Sequence, residues 1–379
     1  MLLFHLFSNC NEYPALLKLY PSLFATQAKS VHLCKEYFNM IYRSKAPLRI
    51  GLAGGGTDVS PYCDRYGGAI LNATISLYAH ASIETLQEPV MILEALDQDQ
   101  RATYPLNTDI PPEGPLALLI GALNCIRKDY GDFQTGFQLS TYVDAPAGSG
   151  LGTSSTLMVA IIGTFAEMLN LPLGDYDTAH YAYDIERGYL KLAGGRQDQY
   201  AATFGGVNYM EFYENDKVIV NPLRIRSKYM HELEHNLLLY FTSNTRESAA
   251  IIKEQVKNVE TQNSASIEAM HQLKEQARMM KEALLKGQLD DIGRILDYGF
   301  NQKRKMASNI SNLNIEAMYD AATGAGATGG KISGAGGGGF MIFYCPGNTR
   351  HAVIKALQAF GGSFKAFGFT NEGLTTWSA

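Results

Sequence analysis

The sequence lacks the marks of three common protein classes. Its five cysteines, Cys10, Cys34, Cys63, Cys125 and Cys345, are odd in number, widely scattered and form no CxxC pair. That excludes a disulfide framework or a zinc ribbon and fits a reducing cytoplasm, the expected location. No stretch approaches the roughly eighteen consecutive apolar residues of a membrane-spanning helix; even LLLYF and the run after Ser155 are broken by polar groups. Basic excess is missing too. Lys and Arg number 32 against 37 Asp and Glu, a net charge of −5, so no global footprint for nucleic acid or an anionic membrane exists, and a small solute is the expected partner. The opening MLLFHLFSNCNEYP has no basic n-region, and His5 and Asn9 interrupt its apolar run, which argues against a signal peptide.

The residues present in quantity read as soluble globular protein: 379 residues, 46% hydrophobic and 18% charged, enough for two domains and a sizeable core. Residues 1–39 fit poorly with the rest of the chain and are expected to be a peripheral extension or an upstream start-site error. From Met40 the text becomes orderly. A first domain is expected over 40–225 and a second over 226–379, with no repeat or low-complexity linker between them. KAPLRIGLA, AILNATI and AHASIE read as strands, 116–130 as a helix, 135–143 as a strand, and 177–193 as a helix stopped by Gly194 and Gly195. After residue 225, LLLYFTS reads as a buried strand, followed by a long polar-faced helical region, a glycine-rich stretch, the helix HAVIKALQAF and the strand SFKAFGF.

Three glycine-rich elements carry the chemistry: GLAGGGTD (51–58), PAGSGLGTSS (146–155) and KISGAGGGGF (331–340). In the second, glycines 148, 150 and 152 strip side chains from the backbone just before an apolar helix. Amides that can approach closely, a helix N-terminus and neighbouring hydroxyls together suit an anion, and phosphate is the natural one. The third element formally contains G334-x-G336-x-x-G339, but a strand and not a helix follows, so a glycine hairpin packed against another loop is expected in place of a dinucleotide fold. Lys331 precedes Ile332, not Ser or Thr, which rules out a Walker loop. HELEH (231–235) matches a zinc-protease signature. His235 runs straight into NLLLYF, so the helix is not expected to persist through both imidazoles. Four carboxylates lie near the loops: Asp58, Asp144, Glu186 and Asp198. Glu186 could instead pair with Arg187 or Lys191 on a solvated face, and Asp198 could merely complement a helix dipole. Arg49, inside an apolar strand, needs a carboxylate or phosphate partner.

Taken in order, PLRIGLAGGGTD, PAGSGLGTSS, ER…GGRQDQ and KISGAGGGG resemble the GHMP kinases, the superfamily of galactokinase, homoserine kinase, mevalonate kinase and phosphomevalonate kinase. The likeness covers about residues 41–379. It implies an α+β, two-domain architecture: an N-terminal domain like ribosomal protein S5 domain 2 and a ferredoxin-like C-terminal domain, with ATP and substrate in the cleft between them. GGGTD-VSPY-CDRYGGAILNATI looks most like sugar 1-kinases acting on D-glycero-D-manno-heptose 7-phosphate, with fucokinase domains close behind.

The resemblance also implies roles. Gly148, Ser149, Gly150, Leu151, Gly152, Thr153, Ser154 and Ser155 match the ATP-phosphate loop. Ser154 and Glu186 match the magnesium ligands, both hard oxygen donors. Asp198 matches the catalytic aspartate that receives or orients the proton of the attacking hydroxyl, with Arg49 beside it. Gly55, Gly56, Thr57 and Asp58, with Arg49 and Asp198, match the substrate site, and Ser333, Gly334, Ala335, Gly336 and Gly337 match the third-motif loop. Two departures stand out: GGGTD replaces the GEHTD of galactokinases, which argues against galactose, and Thr153 replaces a common serine but keeps a hydroxyl. A phosphorylated acceptor needs basic contacts, for which Arg43, Lys45, Arg65 and Arg196 are the candidates near the cleft in sequence. A non-catalytic sugar and ATP sensor on this fold is disfavoured by the joint presence of Ser154, Glu186 and Asp198. Nothing in the sequence sets the oligomeric state.

Overall fold

The computed structural model describes residues 40–243 and 248–379; the expectation for residues 1–39 lies outside them. Two long strands, β1 (Ile41–Ala53) and β2 (Gly68–Leu86), form an antiparallel ribbon with the short helix α1 (Tyr62–Tyr66) in its turn. AILNATI and AHASIE, expected as separate strands, are one, because Ser76, Leu77 and Tyr78 between them supply no turn former. The ribbon's register shifts between Pro47 and Arg49, an irregularity of the kind that re-aims a side chain. There the Arg49 amide donates to the Leu151 carbonyl at 3.2 Å instead of to the ladder. The first sheet is completed by β3 (Val90–Ala95), β4 (Gln100–Pro105), β5 (Gly136–Val143), β6 (Val207–Phe212) and β7 (Val218–Pro222). Helices α2 (Ala117–Tyr130), α3 (Thr153–Leu169), α4 (Asp175–Tyr183) and α5 (Gln197–Phe204) accompany these strands. α3 lies against β1 and β2 and is buried on nearly every face, as its unbroken apolar sequence requires.

The second sheet, in order β11-β8-β10-β9, comprises β8 (Leu237–Phe241), β9 (Gly329–Ile332), β10 (Phe340–Tyr344) and β11 (Ser363–Phe364). Among the described residues this part carries the α-helices α6 (Ser227–Asn236), α7 (Ser248–Glu260), α8 (Ser264–Lys286), α9 (Asp290–Lys303), α10 (Leu313–Gly324) and α11 (Arg350–Leu357). The last strand, β12 (Thr375–Ser378), belongs to the first sheet, where it pairs with β1, so the range expected for the second domain returns its final residues to the first sheet. SFKAFGF, expected as a strand, pairs with β8 only at Ser363 and Phe364 and touches β2 through an isolated Ile75–Phe369 bridge. Residues 41–379 form one compact unit, and a continuous apolar core runs from Leu48, Ile50 and Leu52 to Leu237, Leu239 and Ile342. No helix of the described residues is long and apolar enough to cross a membrane.

Candidate active site

The second glycine loop ends at Gly152, which has φ +80° and stands at the N-terminus of α3. A Cβ there would lie 3.1 Å from the Asp198 carboxyl carbon. Only glycine gives both that backbone conformation and that approach. The third glycine loop joins β9 to β10 as the expected hairpin and meshes with the second: a Cβ on Gly334 would fall 2.7 Å from the Gly150 Cα. The Phe340 amide donates to the Ser149 carbonyl at 2.9 Å and the Ser333 hydroxyl to the Gly150 carbonyl at 2.8 Å. Two chain segments some 180 residues apart thus hold the loop in one shape, with the first-turn amides of α3 unpaired by the helix itself.

Opposite that helix start, Arg49 donates through Nε to Asp198 Oδ1 at 2.6 Å and through a terminal nitrogen to the Gly150 carbonyl at 2.7 Å. The arginine is 4% exposed and the aspartate 20%, so the carboxylate faces the cleft while its partner is sealed behind it. Asp198 sits in the first turn of α5. Asp58, from the first glycine loop, accepts from the amides of Arg196 and Gln197 at 2.9 and 3.1 Å, capping that same helix from outside. Burial pushes its carboxyl above the usual range; the Gln197 amide opposes the rise and nearby Asp198 adds to it.

Glu186 lies in a π-helical turn, Asp184–Tyr189, that continues α4. It is 1% exposed, so it is no solvated-face carboxylate. Burial raises its pKa, while Arg187, whose guanidinium lies 3.7 Å away, and hydrogen bonds from Ser155 and Gln199 lower it. Ser154 is exposed and lines the same cleft as Glu186 and Asp198. A hydroxyl and a carboxylate suit magnesium, which takes few protein ligands beside phosphate oxygens. Among the described residues no three His, Cys, Asp or Glu side chains gather into a metal cluster.

These groups line a cleft of about 300 Å³, together with Gly56, Gly150, Thr153, Gly334 and Ala335. Other positions matched to the site serve it from behind. Ser149, Leu151 and Ser333 are buried. Thr57 is also buried, its hydroxyl donating to the carbonyls of Gly54 and Ala69, so it shapes the first loop without lining the cleft. Gly336 and Gly337 fasten the third loop to Ile310. Asp144 accepts from the Tyr78 amide and does not line the cleft. Among the basic candidates, Lys45 faces Glu372, Arg65 bonds the Val259 carbonyl, Arg196 is consumed by Asp64 and Asp216, and Arg43 is exposed on β1 away from the cleft lining. HELEH needs correction: α6 runs to Asn236 and carries both histidines, because the strand begins only at Leu237. Both are exposed.

Sequence reasoning missed two lysines. Lys303 lines the cleft, is 3% exposed and donates to the Gly334 carbonyl. Burial, with Arg49 adding to it, lowers its pKa to about 8, against a smaller opposing pull from Asp58. Lys331 is buried as well and donates to the Gly51 carbonyl at 2.7 Å; burial, Lys303 and Arg49 hold it well below the usual lysine range. A Cβ on Gly55 would lie 3.6 Å from one ammonium and 3.9 Å from the other. Lys303 hid in the polar run NQKRK, yet it continues the buried stripe Ile292, Leu296 and Phe300 of α9, and that spacing was the available signal. Gln197 also lines the cleft, and its side-chain carbonyl oxygen has no hydrogen-bond partner.

An anion-gripping helix start that faces a salt-bridged carboxylate, with no cysteine or histidine among the described residues lining the cleft, suits handing a phosphoryl group to an alcohol; the class is that of phosphotransferases with an alcohol acceptor. Residues 117–206 match the GHMP kinases N terminal domain and residues 280–363 the GHMP kinases C terminal domain, and the chain belongs to the GHMP kinase family. It is 45% identical over 335 residues, 88% of this chain and 98% of the relative, to the D-glycero-alpha-D-manno-heptose 7-phosphate kinase of Campylobacter jejuni. A crystal structure of a D-glycero-D-manno-heptose 1-phosphate kinase from Bacteroides thetaiotaomicron superposes with a TM-score of 0.76 at 45% identity, covering 89% of this chain and 98% of that one. The L-fucokinase/L-fucose-1-P guanylyltransferase of Bacteroides fragilis is 26% identical over 83% of this chain, which spans 35% of that protein. The fold is thus the two-domain α+β architecture of this family, as the sequence motifs implied.

Proposed function

We propose that the protein transfers the γ-phosphoryl group of ATP to the anomeric hydroxyl of D-glycero-D-manno-heptose 7-phosphate, giving the 1,7-bisphosphate for nucleotide-activated heptose synthesis. The observation that carries the reading is the Arg49–Asp198 pair, held at 2.6 Å against the start of α3. In this reading the amides around Gly148–Thr153 grip the phosphates, and an apolar pocket of about 280 Å³ that shares Thr153, Ser154 and Leu192 with the cleft receives the base. Asp198 orients the anomeric O–H and takes its proton as that oxygen bonds to the γ-phosphorus and the bond to ADP breaks. Arg49 holds the Asp198 carboxylate turned to the cleft. Lys303 faces the charge on the transferring group. Asp58 and the free Gln197 carbonyl fix sugar hydroxyls. Magnesium held by Ser154, Glu186 and phosphate oxygens would neutralise phosphate charge.

The names of the two 45%-identical relatives place the acceptor's phosphate on different carbons, so the product itself is the test. Phosphorus NMR of the mixture from ATP, magnesium and heptose 7-phosphate should show a new anomeric phosphate signal alongside ADP. ADP without that signal, or turnover of L-fucose in preference, sinks the heptose assignment.

A further inference from the structure

The cleft has a basic side branch. A pocket of about 270 Å³ shares Val59, Arg187, Leu192 and Gly194 with it. Its wall is one face of α7, where Lys253 and Lys257 stand four residues apart and project from the same side. With Arg187, which also pairs with Glu186 at 3.7 Å, they put three cations in a lining whose one carboxylate among the described residues is Glu260. Both lysines are exposed, and no ion pair engages either among the described residues. Ile252, Val256 and Leu192 supply apolar surface around them, which strengthens the attraction of an ammonium for an anion compared with open water.

Lone surface lysines are common. What distinguishes this pair is continuity with the acceptor side of the cleft, through Val59, next to Asp58 in the chain, and Gly194, which lies against Arg187, while the base already has an apolar pocket elsewhere. We propose that this branch binds the phosphate the acceptor carries before the reaction, and that Lys253 and Lys257 set the preference for a phosphorylated sugar. The inference rests on the sugar-phosphate reading above.

The test compares matched pairs, heptose 7-phosphate with heptose and mannose 6-phosphate with mannose, by turnover with ATP and by calorimetric binding. The wild type should prefer the phosphorylated member of each pair. In the double variant K253M/K257M, KM and Kd for phosphorylated acceptors should rise about 100-fold, roughly tenfold per charge-assisted contact, with kcat, the KM for ATP and the handling of unphosphorylated sugars changed less than about twofold. K253R/K257R should restore the preference. An unchanged KM in the double variant, or a wild type that binds both members of every pair alike, overturns the proposal. Failure of heptose 7-phosphate alone, with the preference intact for mannose 6-phosphate, refutes the heptose assignment and leaves the branch standing.

Discussion

Two buried arginines, Arg49 and Arg196, separate architecture from chemistry. Arg196 is 5% exposed and fully enclosed by acceptors: Asp64 and Asp216 at 3.1 and 2.6 Å, the Tyr213 carbonyl at 2.9 Å and the Ser60 hydroxyl at 3.1 Å. Arg49 has one carboxylate and one carbonyl, and near it stand Lys303 and Lys331, each bonded to a backbone carbonyl and, among the described residues, to no carboxylate. Around Arg196 the anions match or exceed the cation, and the network closes on itself. Around Arg49 the basic groups outnumber Asp198 and Asp58, and burial holds Lys303 and Lys331 below the usual lysine range. Burying excess charge is costly unless something arrives to balance it, so the deficit marks where an anionic ligand belongs, and the closed network marks where the fold is held.

Four substitutions would break or sharpen that contrast. Asp198→Asn should have the largest effect: kcat falls by about 10³-fold while nucleotide binding, measured by fluorescence titration, stays close to wild type. A variant with near-normal turnover would remove the catalytic reading altogether. Lys303→Met should lower kcat/KM by about 10²-fold yet leave the protein at least as stable at neutral pH, since a desolvated, unbalanced charge is removed. The sign with pH comes from its lowered pKa of about 8. Between that value and the ordinary lysine range the unfolded chain binds the extra proton, so wild-type stability relative to K303M should rise as pH climbs from about 8 to about 10.5 and be flat below. Over the same interval kcat/KM should decline in the wild type as the cation is lost, and that limb should be missing in K303M.

Glu186→Gln should raise the magnesium concentration needed for half-maximal rate about tenfold, with kcat at saturating metal recovering much of the loss. No change in metal dependence would place the ion elsewhere. Arg196→Met should show the reverse pattern and the smallest change in activity: kcat within a few-fold, but chemical denaturation reporting about 2 kcal/mol of lost stability, because Asp64, the Tyr213 carbonyl and the Ser60 hydroxyl lose their donor. Should Arg196→Met instead abolish turnover at unchanged stability, the distinction between the two arginines fails.

Much of the site was legible in the sequence alone. Glycine runs, hydroxyls and the apolar helix after Ser155 announced an anion loop because their chemistry is local. Arg49 declared a missing partner because a charge in an apolar strand must have one. Three things stayed hidden. Lys303 was hidden by polar neighbours although it sits on the spacing of the buried stripe of α9, Thr57 looked like a ligand contact and is a turn brace, and HELEH continued as helix through a residue where a strand was expected to begin. Each depends on what a distant segment places against it.

By itself the sequence determined the local devices: which backbone could bend through positive φ at Gly152, which helix would be buried all round, and which loops could grip an anion. These arise from side-chain size and periodicity, which act over a few residues. The tertiary structure alone decided that Asp198 meets Arg49 across 149 positions, that the third glycine loop locks into the second, that the last strand returns to the first sheet, and that two lysines of the second half lie buried beneath the first loop. Charges far apart in the chain acquire their meaning only when burial removes the water that would otherwise screen them.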